Sequence, residues 1–149
     1  RYYNARNVIG QGPRYNNPNK DITGVGKEFI IFNYDALEMY RSVYICEGAL
    51  NALTIGDRGI ATMGKVVSKY QLNELIKAPC QRYIILLDFD AQKYAIELAL
   101  KLIQYKKVKL VLFEDNRDVN DLGRKAVLKK VYETRYATYQ GLIKLKNSL

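Results

Sequence analysis

Five carboxylates stand where they could act together. Glu47 closes the apolar run Val43-Tyr44-Ile45-Cys46 and is followed by Gly48; Asp88 and Asp90 close the run from Tyr83 to Leu87; Asp118 and Asp121 follow the run from Val108 to Phe113. The chain has no histidine. Ser-His-Asp triads, Cys-His pairs, HExxH metal sites and imidazole bases are therefore excluded, and acid-base or metal chemistry falls to carboxylates, lysine, tyrosine or water. Strand side chains two residues apart share a face, so Asp88 and Asp90 are expected to face one site if the strand continues through them. Like charges that close repel unless a cation lies between them. With only hard oxygen donors available, Mg²⁺ is the natural occupant and Mn²⁺ its substitute. Taken alone, Asp118 and Asp121 read as ordinary acids at a helix N-terminus; it is their place after two other acidic strand ends that points to a site.

These acids must be delivered by regular elements. Strand-like runs are EFIIFN (28–33), SVYIC (42–46), GIAT (59–62), RYIILLD (82–88) and VKLVLF (108–113), rich in branched and aromatic residues. Helices are predicted at 49–55, at 68–77 with Ser68 as cap and Pro79 beyond the end, and at 91–105, where Tyr94, Ala95, Leu98, Leu102 and Tyr105 recur at helical spacing as a core stripe. Alternating strands and helices predict an α/β fold with a mostly parallel sheet flanked by helices. Ligands of such folds bind beyond the carboxyl ends of the strands, where Glu47, Asp88 and Asp118 fall. Residues 1–27 carry five positive side chains and one acid among Asn, Gly, Pro and Tyr, and read as turns and short strands of a small basic α+β segment. The tail from Lys129 is helical in propensity but interrupted by Gly141; it is a packed helix or a docking element. Gly59-Ile60-Ala61-Thr62-Met63-Gly64-Lys65 has the spacing of a phosphate-binding P-loop, but Val66 replaces the required hydroxyl. Gly64 and Lys65 remain candidates to meet a phosphate through an amide or an ammonium.

At 149 residues the chain fits one domain, or one with an appendage. Twenty-four Lys and Arg against fifteen Asp and Glu leave a net charge of +9, which favours polyanionic partners such as nucleic acid. Cys46 and Cys80 are too few and too far apart for a zinc ribbon or a disulfide framework and read as core or near-surface fillers in a reducing compartment. No membrane association is expected, since no run of about 18 apolar residues occurs. An opening Arg1 in place of Met is expected of a piece of a longer chain.

Glu47-Gly48, then Asp88-Phe89-Asp90, then Asp118-Val119-Asn120-Asp121 resembles the Toprim pattern shared by bacterial-type DNA primases, topoisomerases and related nucleases. ARNVIGQGPRYNNP (5–18) looks like the primase segment upstream of Toprim, and ATMGKVVSKYQLNEL (61–75) is similar to a later primase stretch, so the resemblance spans residues 2 to 131. Asn51 stands where primases commonly carry Asp, and Ala91-Gln92 and Ala5 also depart from the pattern. The resemblance implies a basic N-terminal part of a primase polymerase core over 1–40, a Toprim domain over 41–131 and a helical tail over 132–149. It further implies metal-dependent synthesis of short RNA primers on single-stranded DNA, with Glu47, Asp88 and Asp90 catalytic. Mg²⁺ would be held by these three together with Asp118 and Asp121. Arg6, Arg14, Tyr15, Asn16, Lys20, Lys27, Gly64 and Lys65 would grip template or nucleotide. Implied partners are single-stranded DNA, nucleoside triphosphates and a replicative helicase, fused or separate, in the cytoplasm of a bacterial host; the divergence suggests a phage or mobile-element type. Toprim-type strand cleavage and a non-catalytic nucleic-acid-binding module are the alternatives.

Overall fold

Branched and aromatic residues on both faces of consecutive strands require cover on both sides, and helices supply it. The computed structural model describes residues 24–149 and the backbone of two short strands, β1 (Ala5–Arg6) and β2 (Tyr15–Asn16), which pair antiparallel with Arg6 opposite Tyr15. The remaining turns and strands expected in residues 1–23 lie outside the described residues.

The main sheet contains β3 (Ser42–Cys46), β4 (Gly59–Ala61), β5 (Arg82–Leu86) and β6 (Lys107–Leu110), ordered β4-β3-β5-β6 and parallel throughout. Cys46 pairs with Ala61 on one side and Leu86 on the other, and Ile85 with Leu110, so the four strands end level. The helices are α1 (Ala36–Met39), α2 (Ala49–Ile55), α3 (Lys69–Lys77), α4 (Gln92–Leu102), α5 (Val119–Leu122), α6 (Arg124–Glu133) and α7 (Tyr139–Asn147). Period-two alternation divides the core. Val43, Ile45, Tyr83 and Ile85 pack with Leu37, Leu75, Leu98, Leu102 and Leu142 on one face, while Cys46, Ile84 and Leu86 pack with Ala52, Ile55, Val119 and Val127 on the other. Leu142 of α7 thus belongs to the same core as Leu102, and the tail is a packed helix. Gly141 does not interrupt it: it lies in the first turn, where its N–H donates to the Thr138 cap at 3.1 Å. Both cysteines are free and buried, as core fillers should be. No helix among the described residues is long and apolar enough to cross a membrane.

Two expectations need correction. EFIIFN is not a strand: Lys27–Phe29 form a 3₁₀ turn, and only Phe32 reaches the sheet, through one antiparallel bridge to Ala61. The chain leaves at Asn33, whose φ of 54° is left-handed and whose amide donates to the carbonyls of Asp57 and Gly59 at 3.0 and 2.9 Å. In α4 the buried stripe runs through Ala95, Ile96, Leu98, Ala99 and Leu102, with Tyr94 and Tyr105 exposed. Tyr105 lies beyond the helix end at Leu102, and Tyr94 lies on the helix's exposed side.

The approach of α2 to β4 depends on Gly59. A Cβ there would collide with the backbone carbonyl of Ala52, which cannot swing away as a side chain would. Gly59→Ala is expected to destabilise the protein by about 1–3 kcal/mol, the usual cost of overpacking a core, read as a lower urea midpoint at unchanged m-value; an unchanged midpoint would show that the two elements have slack.

Candidate functional site

Level strand ends place the acids together. Glu47 follows β3 directly, and Gly48, extended at φ −115° and ψ 156°, starts α2 without a side chain in the way. β5 ends at Leu86, and Asp88 is not on it. The backbone turns at Asp88, which precedes a 3₁₀ turn over Phe89–Ala91 closed by Ala91 N–H donating to the Asp88 carbonyl at 2.9 Å. Asp88 and Asp90 therefore meet one cavity through a tight turn, not through the strand alternation expected. After β6 the chain runs through Asn116 to α5, which Asp118 caps. Glu47, Asp88, Phe89, Asp90, Asn116, Asp118 and Asp121 line a single cavity of about 410 Å³. Asn116 and Phe89 were not foreseen; Asn116 is visible only as a polar residue in the acidic turn.

Each acid meets its neighbours' charge in a different way. Asp118 and Asp121 form a reciprocal capping box, with Asp121 N–H donating to Asp118 Oδ1 at 2.9 Å and Asp118 N–H to Asp121 Oδ2 at 3.2 Å. Asp90 Oδ2 accepts from Lys65 Nζ at 3.0 Å. Asp88 Oδ1 accepts from the Asn51 amide at 3.1 Å. Glu47 alone among these is half-buried with a side-chain oxygen, Oε2, that is fully buried and has no hydrogen-bond partner. Burial, then the charges of Asp88 and Asp90, push its carboxyl up to about 7, against a smaller opposing pull from Lys65 and Lys27.

The basic candidates divide into those at this cavity and those outside the described residues. Lys65 is at the rim through Asp90. Lys27 is near enough to act on Glu47, and a Cβ on Gly64 would stand 3.6 Å from its ammonium. Gly64 N–H donates to the Glu47 carbonyl at 3.1 Å, so Lys65 presents its ammonium here while that amide is engaged. Buried Gln71 fixes the Lys27 turn: its amide donates to the carbonyls of Lys27, Ile30 and Thr62 at 3.2, 2.6 and 2.8 Å. Arg6, Tyr15 and Asn16 are placed only as backbone of β1 and β2, and Arg14 and Lys20 lie outside the described residues.

Among the described residues no three Asp, Glu or Cys side chains are gathered tightly enough to hold a metal ion as they stand. The donor set nevertheless fits a hard divalent cation. All donors are carboxylate oxygens, one of them is buried without a partner, and burial together with the charges of Asp88 and Asp90 pushes the Glu47 carboxyl up to about 7. Because its carboxyl sits above the ordinary 4.5, the folded state binds a proton that the unfolded chain releases. Glu47 therefore supports stability at low pH, and that support is lost as pH rises through about 7. In metal-free protein, thermal melts between pH 5 and pH 8 are expected to show Glu47→Gln gaining on the parent as pH rises; a constant difference across that range would contradict the assignment.

No protein-family model matches the chain, and no curated protein matches it. Solved structures do. The chain is similar to a structure described as the DnaG primase catalytic domain bound to ssDNA, at TM-score 0.75 and 17% identity, covering 99% of this chain and 50% of that one. It is similar to the E. coli primase catalytic core at TM-score 0.74 and 16% identity, covering 99% and 51%. It is also similar to the zinc-binding and RNA polymerase domains of the Aquifex aeolicus primase at TM-score 0.70 and 19% identity, covering 91% and 37%. The chain spans about half the length, or less, of these relatives. It has the α/β fold of primase catalytic cores, with a four-stranded parallel Toprim-like sheet between helices.

Proposed function

We propose that this chain is the catalytic part of a DNA primase, a metal-dependent nucleotidyltransferase that makes short RNA primers on single-stranded DNA. The observation that carries this reading is that acids from three strand ends line one cavity with lysines at its rim, in a primase-type fold. Glu47, Asp88 and Asp90 are the catalytic candidates and would hold Mg²⁺ or Mn²⁺, supported by Asp118 and Asp121. A divalent cation, when bound, neutralises triphosphate charge and makes a 3′-hydroxyl easier to deprotonate. The chain's own part is electrostatic alignment. Lys65 and Lys27 draw phosphate oxygens to the rim, and the Lys65 ammonium is shared between Asp90 and incoming phosphate. Glu47, whose carboxyl burial and the charges of Asp88 and Asp90 push up to about 7, would serve as a buried carboxylate toward a cation held there. The net charge of +9 favours a nucleic-acid template, with Arg6, Arg14, Tyr15, Asn16 and Lys20 as candidate contacts on the basic N-terminal segment. Nucleoside triphosphates and a replicative helicase are the further partners this reading assigns.

A primer-synthesis assay on single-stranded DNA with Mg²⁺ or Mn²⁺, run beside a plasmid-nicking assay, tests it. Ribonucleotide incorporation is expected, reduced about 100-fold or more in Asp88→Asn with Asp90→Asn, as for loss of transition-state charge stabilisation. Full synthesis by that double variant would overturn the site assignment. Metal-dependent nicking without incorporation would assign strand cleavage instead, and DNA binding indifferent to both Mg²⁺ and the acid substitutions would leave a binding module.

A further inference from the structure

Three polar side chains are buried among the described residues, and one of them, Asn51, bonds to a carboxylate that lines the cavity. Asn51 lies in the first turn of α2 and is 5% exposed. Its Nδ2 donates to Asp88 Oδ1 at 3.1 Å, and its Oδ1 accepts from the backbone N–H of Asn120 at 3.3 Å. One turn later, Thr54 Oγ1 lies 3.0 Å from both Asn120 Oδ1 and the Leu50 carbonyl and shares its one proton between them, so α2 meets residue 120 by backbone and side chain alike. Residue 120 lies inside the capping box formed by Asp118 and Asp121. These contacts permit one orientation of the amide. Reversed, its oxygen would face the Asp88 carboxylate and its NH₂ the Asn120 N–H, two mismatched pairs in a buried setting.

We propose that Asn51 is the positioning residue of the site: a single buried amide that fixes the Asp88 carboxylate and, through Asn120, the α5 turn carrying Asp118 and Asp121. The inference rests on reading Asp88 as a cation ligand. The side chain suits the task because it offers a donor to one partner and an acceptor to the other at the same time. Alanine offers neither. An ionised aspartate keeps the acceptor for Asn120 but has no donor for Asp88. Partners that orient a ligand typically contribute about 10- to 100-fold in metal affinity or activity, without touching the metal themselves.

Mn²⁺ alone is the probe, with binding followed by electron paramagnetic resonance on the parent chain, Asn51→Ala, Asp88→Asn and the double variant, each checked by circular dichroism. Asn51→Ala is expected to bind Mn²⁺ about 10-fold or more weakly, and to weaken the Asp88→Asn chain by a smaller factor than the parent, because part of its effect runs through Asp88. A folded Asn51→Ala that binds Mn²⁺ as tightly as the parent overturns the proposal. Should Asn51→Ala fail to fold, NMR of the parent decides. The Asn51 side-chain amide protons are expected to be protected from exchange and to move in Asp88→Asn, and rapid exchange with no such movement would overturn it. A parent chain that takes up no Mn²⁺ overturns the cation reading itself, an outcome distinct from equal binding by parent and Asn51→Ala.

Discussion

Carboxylates gathered at the end of a buried sheet repel one another, and the site's design is a set of answers to that repulsion. The strands themselves do not allow the acids to spread, because β3 and β5 are packed on both faces and end in register. Each acid is instead given a separate settlement. Asp90 takes an ammonium, Asp88 an amide, and Asp118 and Asp121 satisfy each other's backbone. Glu47 receives no partner for Oε2, and burial with the charges of Asp88 and Asp90 pushes its carboxyl up to about 7. Glu47 is thus the one of these acids with a buried oxygen left unpartnered, and that asymmetry is the ground on which we propose a cation site here. The Lys65–Asp90 pair is exposed on both sides, so it contributes little to stability and is readily exchanged for another cation.

The surrounding fold serves this arrangement with two buried polar brackets. Gln71, inside α3 and reached by the Ser68 cap, holds three carbonyls and thereby the Lys27 turn against the end of β4. Asn51 bonds in the corresponding way between α2, the Asp88 turn and α5. Buried amides left unpaired are costly, so such fully used ones specify a geometry that apolar packing alone would leave loose. Close approach of α2 to β4 at Gly59 sets where α2 lies, and with it where Asn51 reaches.

Much of this was legible in the residues. SVYIC and Ala49–Ile55 form a strand and a helix as read, because alternation and an uninterrupted apolar spacing need no distant partner. The parallel order followed from strand-helix alternation, and the acids at three strand ends were visible as breaks in apolar runs. EFIIFN misled because its composition suits a strand while its backbone is taken by Asn33 and by the bonds from Gln71, which lies 41 residues away from Ile30. Asp88-Phe89-Asp90 brought both acids to one cavity for a different reason from strand periodicity. The Asn51 network was invisible because its partners lie 37 and 69 residues away, and local pattern carries no such pairing.

The proposed function requires that the cavity between Glu47, Asp88 and the α5 turn attract a divalent cation. Mn²⁺ broadens NMR signals of nuclei near it, so a titration of the ¹⁵N-labelled chain with Mn²⁺ asks the question without reference to activity. The account predicts that the backbone signals of Gly48, Phe89, Asp90 and residues 116–121 broaden first and together, and that Asp88→Asn with Asp90→Asn abolishes the effect. Broadening centred elsewhere, or the same broadening in the double variant, would contradict it.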